Sequence, residues 1–193
     1  IKVNSSVRVL WAVSDNDPLT LRSGLLAFPD IAAADYFNAI TETPTLDYLK
    51  TYDVVLAYRN GTWDDETSMG NVLGDYVDLG GHVILTTFNW QTNNEDDLKG
   101  RIMDEDLTPF HGASGMGYES AGLGLHNSSH PIMIGVTYLE DWHRMYGMSL
   151  NSGTNLVASW SNGEALAAVN QKGNVAGLNL YLGDENGKRL GDW

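Results

Sequence analysis

The chain has 193 residues, 42% apolar and 19% charged, which suits one domain that buries roughly 70% of the surface its unfolded chain exposes. Eleven Lys and Arg against 25 Asp and Glu give a formal charge of −14, and no basic stripe is present to neutralise phosphates, which excludes nucleic acid as a partner. No run approaches the 18 or so apolar residues of a membrane-spanning helix, and the absence of cysteine removes disulfides, thiolate metal sites and every thiol nucleophile.

In chain order, "SVRVLWAV" (6–13) is an apolar, β-rich run of the length of a strand buried on both faces. It ends in "SDNDP", where Asp17 before Pro18 has the form of an N-cap, so a helix is expected over about 18–26. A weaker strand follows over 34–40, then a short helix in "TPTLDYLKTY" capped by Thr43 or Thr45, then a buried strand over 53–60. Asp64 or Asp65 caps the next helix. Its apolar residues Met69, Val72, Leu73, Tyr76 and Val77 repeat at helical spacing, Gly80 and Gly81 stop it, and "HVILTTF" follows as another buried strand.

Strands alternating with helices require a parallel sheet, because each crossover returns the chain to the same end. The later part differs: "LVASW", "ALAAVN" and "VAGLNLYL" are separated by "SNGE" and "QKGN", and Asn162-Gly163 is a strong hairpin signal. Residues 89–155 are Gly-rich with weak periodicity and are expected to hold irregular loops and short elements. The expectation is one three-layer α/β/α domain over residues 1–193, a flavodoxin-like parallel sheet with an antiparallel C-terminal extension.

The segments "TPTLDYLKTYDVVLAYRN", "MGNVLGDYVDLGGHVILTTF", "LKGRI", "HPIMIGV" and "LVASWSNGEALAAVNQKGNVAGLNLYL" together resemble the class I glutamine amidotransferase-like superfamily, in its ThuA-like, exported bacterial branch. The resemblance spans about Ser6 to Leu182. It implies a helix ending in Gly-Gly that feeds a central strand, and for glutaminase members a Cys at the sharp turn after that strand. Here the turn offers Thr87, Phe88, Asn89 and Trp90, so glutamine hydrolysis by a thiolate is excluded. ThuA-like relatives also lack the Cys, and the resemblance implies for them carbohydrates or their derivatives as ligands.

Ligands of an open parallel sheet bind beyond the carboxyl ends of its strands. Three loops are expected to converge there, carrying Asp15 and Asp17, Asn60 and Trp63, and Asn89 and Trp90. Indole faces stack on C–H groups while amides and carboxylates hydrogen-bond hydroxyls, so these six residues form the expected ligand face. The plainer alternative makes Asp17 a helix cap, Trp63 a packed loop residue and Trp90 a hydrophobic lid. A glycoside-cleaving pair among Asp15, Asp17, Asp64 and Asp65 would need carboxyl groups roughly 5 to 9.5 Å apart.

No cofactor and no metal are expected. His126 and His130 are spaced as on a zinc helix, but "NSS" and Pro131 disfavour that helix, and "HPI" reads as a structural turn. Asp15 and Asp17 lack the further ligands and the glycine of a calcium loop. "GASGM" around Ser114 lacks the second glycine of a nucleophile elbow. Arg101 is expected in an ion pair. The leading functional expectation is a non-catalytic binding or architectural domain of an exported, extracellular or periplasmic protein, cut from a longer chain in the polar stretch "RLGDW". The second is a carbohydrate-binding or carbohydrate-active domain, and the third a metal-dependent hydrolase using His126 and His130. A carbohydrate or a protein is the expected partner, and the oligomeric state is open.

Overall fold

The computed structural model describes residues 6–90, 96–183 and 190–192. Its elements run β1 (Val7–Val13), α1 (Leu19–Leu25), β2 (Ile31–Asn38), α2 (Leu46–Leu49), β3 (Val54–Ala57), α3 (Glu66–Asp78) and β4 (His82–Thr86). They continue with α4 (Arg101–Asp104), β5 (Phe110–His111), β6 (Gly115–His126), a 3-10 turn (Pro131–Met133), β7 (Leu139–Tyr146), β8 (Ser149–Leu150), β9 (Asn155–Trp160), β10 (Ala165–Val169), β11 (Val175–Leu178) and β12 (Leu190–Gly191).

Ten strands form one sheet in the order β12-β7-β6-β9-β10-β11-β4-β3-β1-β2. From β2 to β11 every neighbouring pair is parallel, which is the flavodoxin-like order with β11 as its fifth strand. From β11 to β12 every pair is antiparallel. The "VAGLNLYL" segment thus serves both halves, antiparallel to β10 and parallel to β4. The stretch "RLGDW" contributes β12 at the sheet edge, with Arg189 and Trp193 outside the described residues.

Helices α2, α3 and α4 pack in one layer. The chain steps from β1 to β2 in the opposite direction to its steps from β2 through β4, so the right-handed crossover rule puts α1 on the other face. With both faces covered, Val9–Val13 are buried without interruption. Asp65 caps α3 by accepting the Ser68 N–H at 2.7 Å, and Thr45 caps α2 by accepting the Tyr48 N–H at 3.2 Å. The α3 helix ends in a Schellman motif: Gly80 N–H donates to Val77 O at 3.0 Å and Gly81 N–H to Tyr76 O at 2.9 Å, with Gly80 at φ +89°. On the other side of α3, a Cβ at Gly70 would lie 1.5 Å from Lys99 O, so the α3–α4 contact requires glycine there.

Three expectations need correction. Asp17 does not cap α1; the helix begins after Pro18 with no side-chain cap, and the Asp17 carboxylate instead takes both ends of the Arg22 guanidinium at 2.6 Å. A bidentate charge-assisted pair outcompetes a single N–H for the same oxygens. The second strand starts at Ile31, ahead of the expected 34, because Ala32–Ala34 carry too little apolar signal to be read as strand. Residues 115–146, expected to be irregular, hold the long antiparallel pair β6 and β7.

Candidate functional site

The carboxyl ends of β1, β3 and β4 converge through the backbone. Ser14 bridges Arg59 in parallel fashion, Ser14 O accepts from Asn60 and Gly61 N–H at 2.9 and 2.8 Å, and Phe88 N–H donates to Arg59 O at 3.2 Å. The Arg59 side chain repeats these links. Its Nε donates to Phe88 O at 3.2 Å, one terminal nitrogen to Gly61 O at 3.2 Å, and the other to Asp97 Oδ1 at 3.0 Å. Both side chains of this ion pair are almost wholly buried. Burial pushes the Asp97 carboxyl up to about 6, against the lowering effect of Arg59.

The six residues expected to form a ligand face behave differently from one another. Asp15 is buried and accepts both the Asn16 N–H and the Tyr181 hydroxyl. Asp17 is held by Arg22, and Asn60 is exposed. Trp63 and Trp90 are 5% and 3% exposed, so neither indole presents a face for sugar stacking. Trp90 Nε1 donates to Thr108 Oγ1 at 3.2 Å, and its ring meets Phe110 edge-on at 5.2 Å. Trp63 packs in the core, and Trp90 packs against Phe110 with only its edge left toward the cleft described below.

Asn89 stands at the turn where the amidotransferase resemblance places a nucleophile. It is fully buried, and its Nδ2 donates to Ala57 O at 3.0 Å and Thr86 O at 2.9 Å. Two carbonyl partners fix which end of the amide is nitrogen, since a flipped amide would set oxygen against oxygen. Asn89 Oδ1 has no hydrogen-bond donor among the described residues, and Asp97 Oδ2 has none either. Both residues line one cleft of about 300 Å³, whose other walls include Trp90, Leu98, Phe110 and His111. A larger groove of about 630 Å³ lies beside β2 between Phe37 and Tyr48, but among the described residues no buried acceptor lacking a donor lines it.

A second cluster, read from neither motif nor spacing, gathers around Tyr181. Tyr181 stacks on Phe88 at 5.5 Å and meets Tyr58 and His143 edge-on at 5.9 and 5.7 Å. Asp141 Oδ2 accepts Tyr181 N–H at 3.0 Å while Oδ1 accepts those of Trp142 and His143 at 2.6 and 3.2 Å. Burial raises the Asp141 carboxyl in spite of these three donors. Its role is to organise backbone where β7 meets the segment that follows β11.

The remaining candidates have structural partners. His130 accepts the Ile132 N–H at 3.4 Å and so caps the 3-10 turn, while His126 Nδ1 lies 3.0 Å from Gly124 O. Among the described residues no group of three or more His, Cys, Asp or Glu is placed to hold a metal ion. Arg101 pairs with Asp75, Asp78 and Glu105. Ser114 donates to Tyr146 O at 3.1 Å, on the approach to β6.

No family model and no curated protein sequence matches the chain. Solved structures do. A ThuA-like protein from Bacteroides uniformis is similar with TM-score 0.69 and 13% identity, over 97% of this chain and 88% of that one. A cytoplasmic protein from Salmonella typhimurium gives 0.65 and 14%, over 92% and 89%. A glutamine amidotransferase from Thermotoga maritima gives 0.58 and 13%, over 91% and 76%. The chain has the fold these proteins share, and it has it without a cysteine.

Proposed function

We propose that this chain, an amidotransferase-like fold with no thiol, is a non-catalytic binding domain that takes a small molecule in the cleft after β4. The observation that carries this reading is a cleft of about 300 Å³ after β4, with Leu98, Met103 and Phe110 among its walls, whose lining residues Asn89 and Asp97 each keep a buried acceptor with no donor among the described residues. A buried acceptor without a donor costs about 1–3 kcal/mol, and two such costs held beside one opening call for an explanation that packing alone does not give. Neither Asn89 nor Asp97 is equipped as a nucleophile. The Asn89 amide nitrogen is held by two carbonyls, and the Asp97 carboxylate is bound to Arg59. Binding explains these groups better than an architectural role, which would not favour unsatisfied acceptors beside an opening.

A carbohydrate is the second reading, favoured by what the ThuA-like resemblance implies and by the polar side chains Lys99, Thr108 and His111 at the cleft. Its stacking surface would be Met103 or His111 rather than Trp63 or Trp90, which expose too little of their rings. The extracellular or periplasmic setting stays part of the proposal on composition alone; the Salmonella protein of this fold, described as cytoplasmic, weighs against it, and fractionation of the source cells decides between them. The binding reading is tested by titrating the ¹⁵N-labelled chain with a library of small fragments and with a glycan panel. Saturable shifts at the Trp90 indole and Phe110 amide are expected. Shifts confined to the β2 groove would move the site there.

A further inference from the structure

We infer that His111 is the hydrogen-bond acceptor a ligand meets in this cleft, kept in that state by Asn151, and that the ligand is a hydroxyl-bearing molecule. This rests on the reading of the cleft as the ligand site, and adds the residue that recognises the ligand and the group it recognises.

The state of the imidazole follows from the amide behind it. Asn151 is 7% exposed and its Nδ2 donates to Thr108 O at 2.7 Å, so its Oδ1 is the atom turned to His111 Nδ1. A flipped amide would set oxygen against oxygen. An amide oxygen only accepts, so the hydrogen between the two side chains is carried by His111 Nδ1. A neutral imidazole has one N–H, which leaves Nε2 as an acceptor, its lone pair directed away from Asn151. The backbone holds both residues as well. Asn151 N–H donates to Pro109 O at 3.0 Å, Asn151 O accepts from Thr154 N–H at 3.2 Å, and the pairing of β5 with β8 sets His111 opposite Ser149.

His111 is exposed and lines the cleft beside Trp90, Leu98, Met103 and Phe110, so it is open to what enters, as the buried oxygens of Asn89 and Asp97 are not. Among the described residues its side chain makes no hydrogen bond besides that to Asn151. His126 supplies the contrast. Its Nδ1 uses a carbonyl two residues away, Gly124 O, as any surface imidazole can, whereas the His111 tautomer is set by a buried amide 40 positions along the chain with a fixed partner at its other end. A water-exposed imidazole gains little from such an arrangement; a recognition site gains an acceptor whose direction is fixed before the ligand arrives.

The Nε2 lone pair takes an O–H or an N–H, and Lys99 decides between them. Its half-exposed ammonium stands on the same cleft, bonded to Glu66 at 2.7 Å, and it only donates. A hydroxyl gives its hydrogen to His111 and keeps lone pairs for Lys99. An ammonium ligand would bring a second positive charge beside Lys99 and no acceptor, and a ketone or carboxylate oxygen would set a lone pair against Nε2.

Two measurements test this. Ring ¹⁵N shifts at pH 8 report which imidazole nitrogen carries the hydrogen: in wild type His111 should be protonated on Nδ1, and in Asn151→Leu it should return to the Nε2–H form that free histidine prefers. Nε2–H in wild type, or an unchanged tautomer in Asn151→Leu, would overturn the assignment. The second measurement titrates phenol, its methyl ether anisole, and benzylammonium into the ¹⁵N-labelled chain, following the Leu98 and Phe110 amides. Phenol should bind about fivefold tighter than anisole, the ratio one net hydrogen bond gives, and tighter than benzylammonium. In His111→Phe, which keeps a ring at an exposed position and removes Nε2, the phenol-to-anisole ratio should fall to about one. A ratio unchanged by His111→Phe, or benzylammonium binding as tightly as phenol, would overturn the inference and leave the cleft as the ligand site. If none of the three moves these amides in a folded wild-type chain, the cleft is not the site and both readings fall.

Discussion

In the parallel half of the sheet, β1 is buried over five consecutive residues, Val9–Val13, and glycine is absent from it. In the antiparallel half, the twelve residues of β6 include glycines at 115, 117, 122 and 124, and only Gly117 and Ala121 are buried. The difference follows from what covers each strand. Helices on both faces demand a continuous apolar run, whereas a strand with a solvated face needs only alternate contacts. The polar groups of the candidate site belong to the covered half. There a mispaired charge or amide cannot be rescued by water, and disturbing them should therefore cost most.

The largest effect is expected from Arg59→Met. It strands a buried carboxylate and cuts the links from β3 to Phe88, Gly61 and Asp97, so it should lower stability by about 3–5 kcal/mol in urea denaturation at neutral pH. A loss under about 1 kcal/mol would mean that the ion pair does not hold the loops together. Next comes the joint between the halves. Asn179, just past β11, donates from Nδ2 to Met145 O and Ala165 O, both at 2.9 Å, and its Oδ1 accepts Met145 N–H at 2.7 Å. Asn179→Leu keeps the volume and removes all three bonds, with an expected loss of about 3–4 kcal/mol. Hydrogen exchange sharpens the contrast: Met145 and its β7 neighbours should lose protection, while Leu10 and Val55 keep theirs.

Asp97 supplies the pH dependence. Its carboxyl is raised from an ordinary 3.8 to about 6, so the native state holds this proton over a range where the unfolded chain has released it. The favourable contribution is present below about pH 4 and is lost as pH rises through about 6, a change of about 3 kcal/mol at 1.36 kcal/mol per unit. Urea denaturation of wild type and Asp97→Asn between pH 4 and 7 isolates it. The wild type should lose ground to the variant as pH rises across that window, and parallel profiles would place the Asp97 carboxyl at its ordinary value.

The same contrast explains what could be read from the sequence. Strands β1, β3 and β4 were legible as unbroken apolar runs, α3 from its period and its Asp65 and Gly80 ends, and the β9–β10 hairpin from Asn162-Gly163. The β6–β7 pair was not legible, because four glycines remove the side chains that would mark an alternating strand. At the rim, parallel-sheet logic placed the three loops together, but it could not say which way an indole turns, and Trp63 and Trp90 turn inward. Arg59 and Asp97 lie 38 positions apart with nothing in the chain between them to announce a pair. Their association exists only once β3 and β4 lie side by side.

The smallest expected effects have opposite signs and test whether backbone conformation or space decides a glycine. Neither Gly24, inside α1, nor Gly163, in the β9–β10 turn, has an atom within 4 Å of where a Cβ would stand. They differ in the backbone: Gly163 sits at φ +89°, in the left-handed region, whereas Gly24 is helical. Gly24→Ala should therefore raise stability by about 0.5–1 kcal/mol, since alanine loses less freedom on entering a helix. Gly163→Ala should lower it by about 1 kcal/mol through the same added methyl, because an L side chain is strained at that φ. Thermal unfolding of the two variants beside wild type reads both. Equal and unchanged midpoints would show that the turn re-forms in another conformation and that α1 is frayed at Gly24.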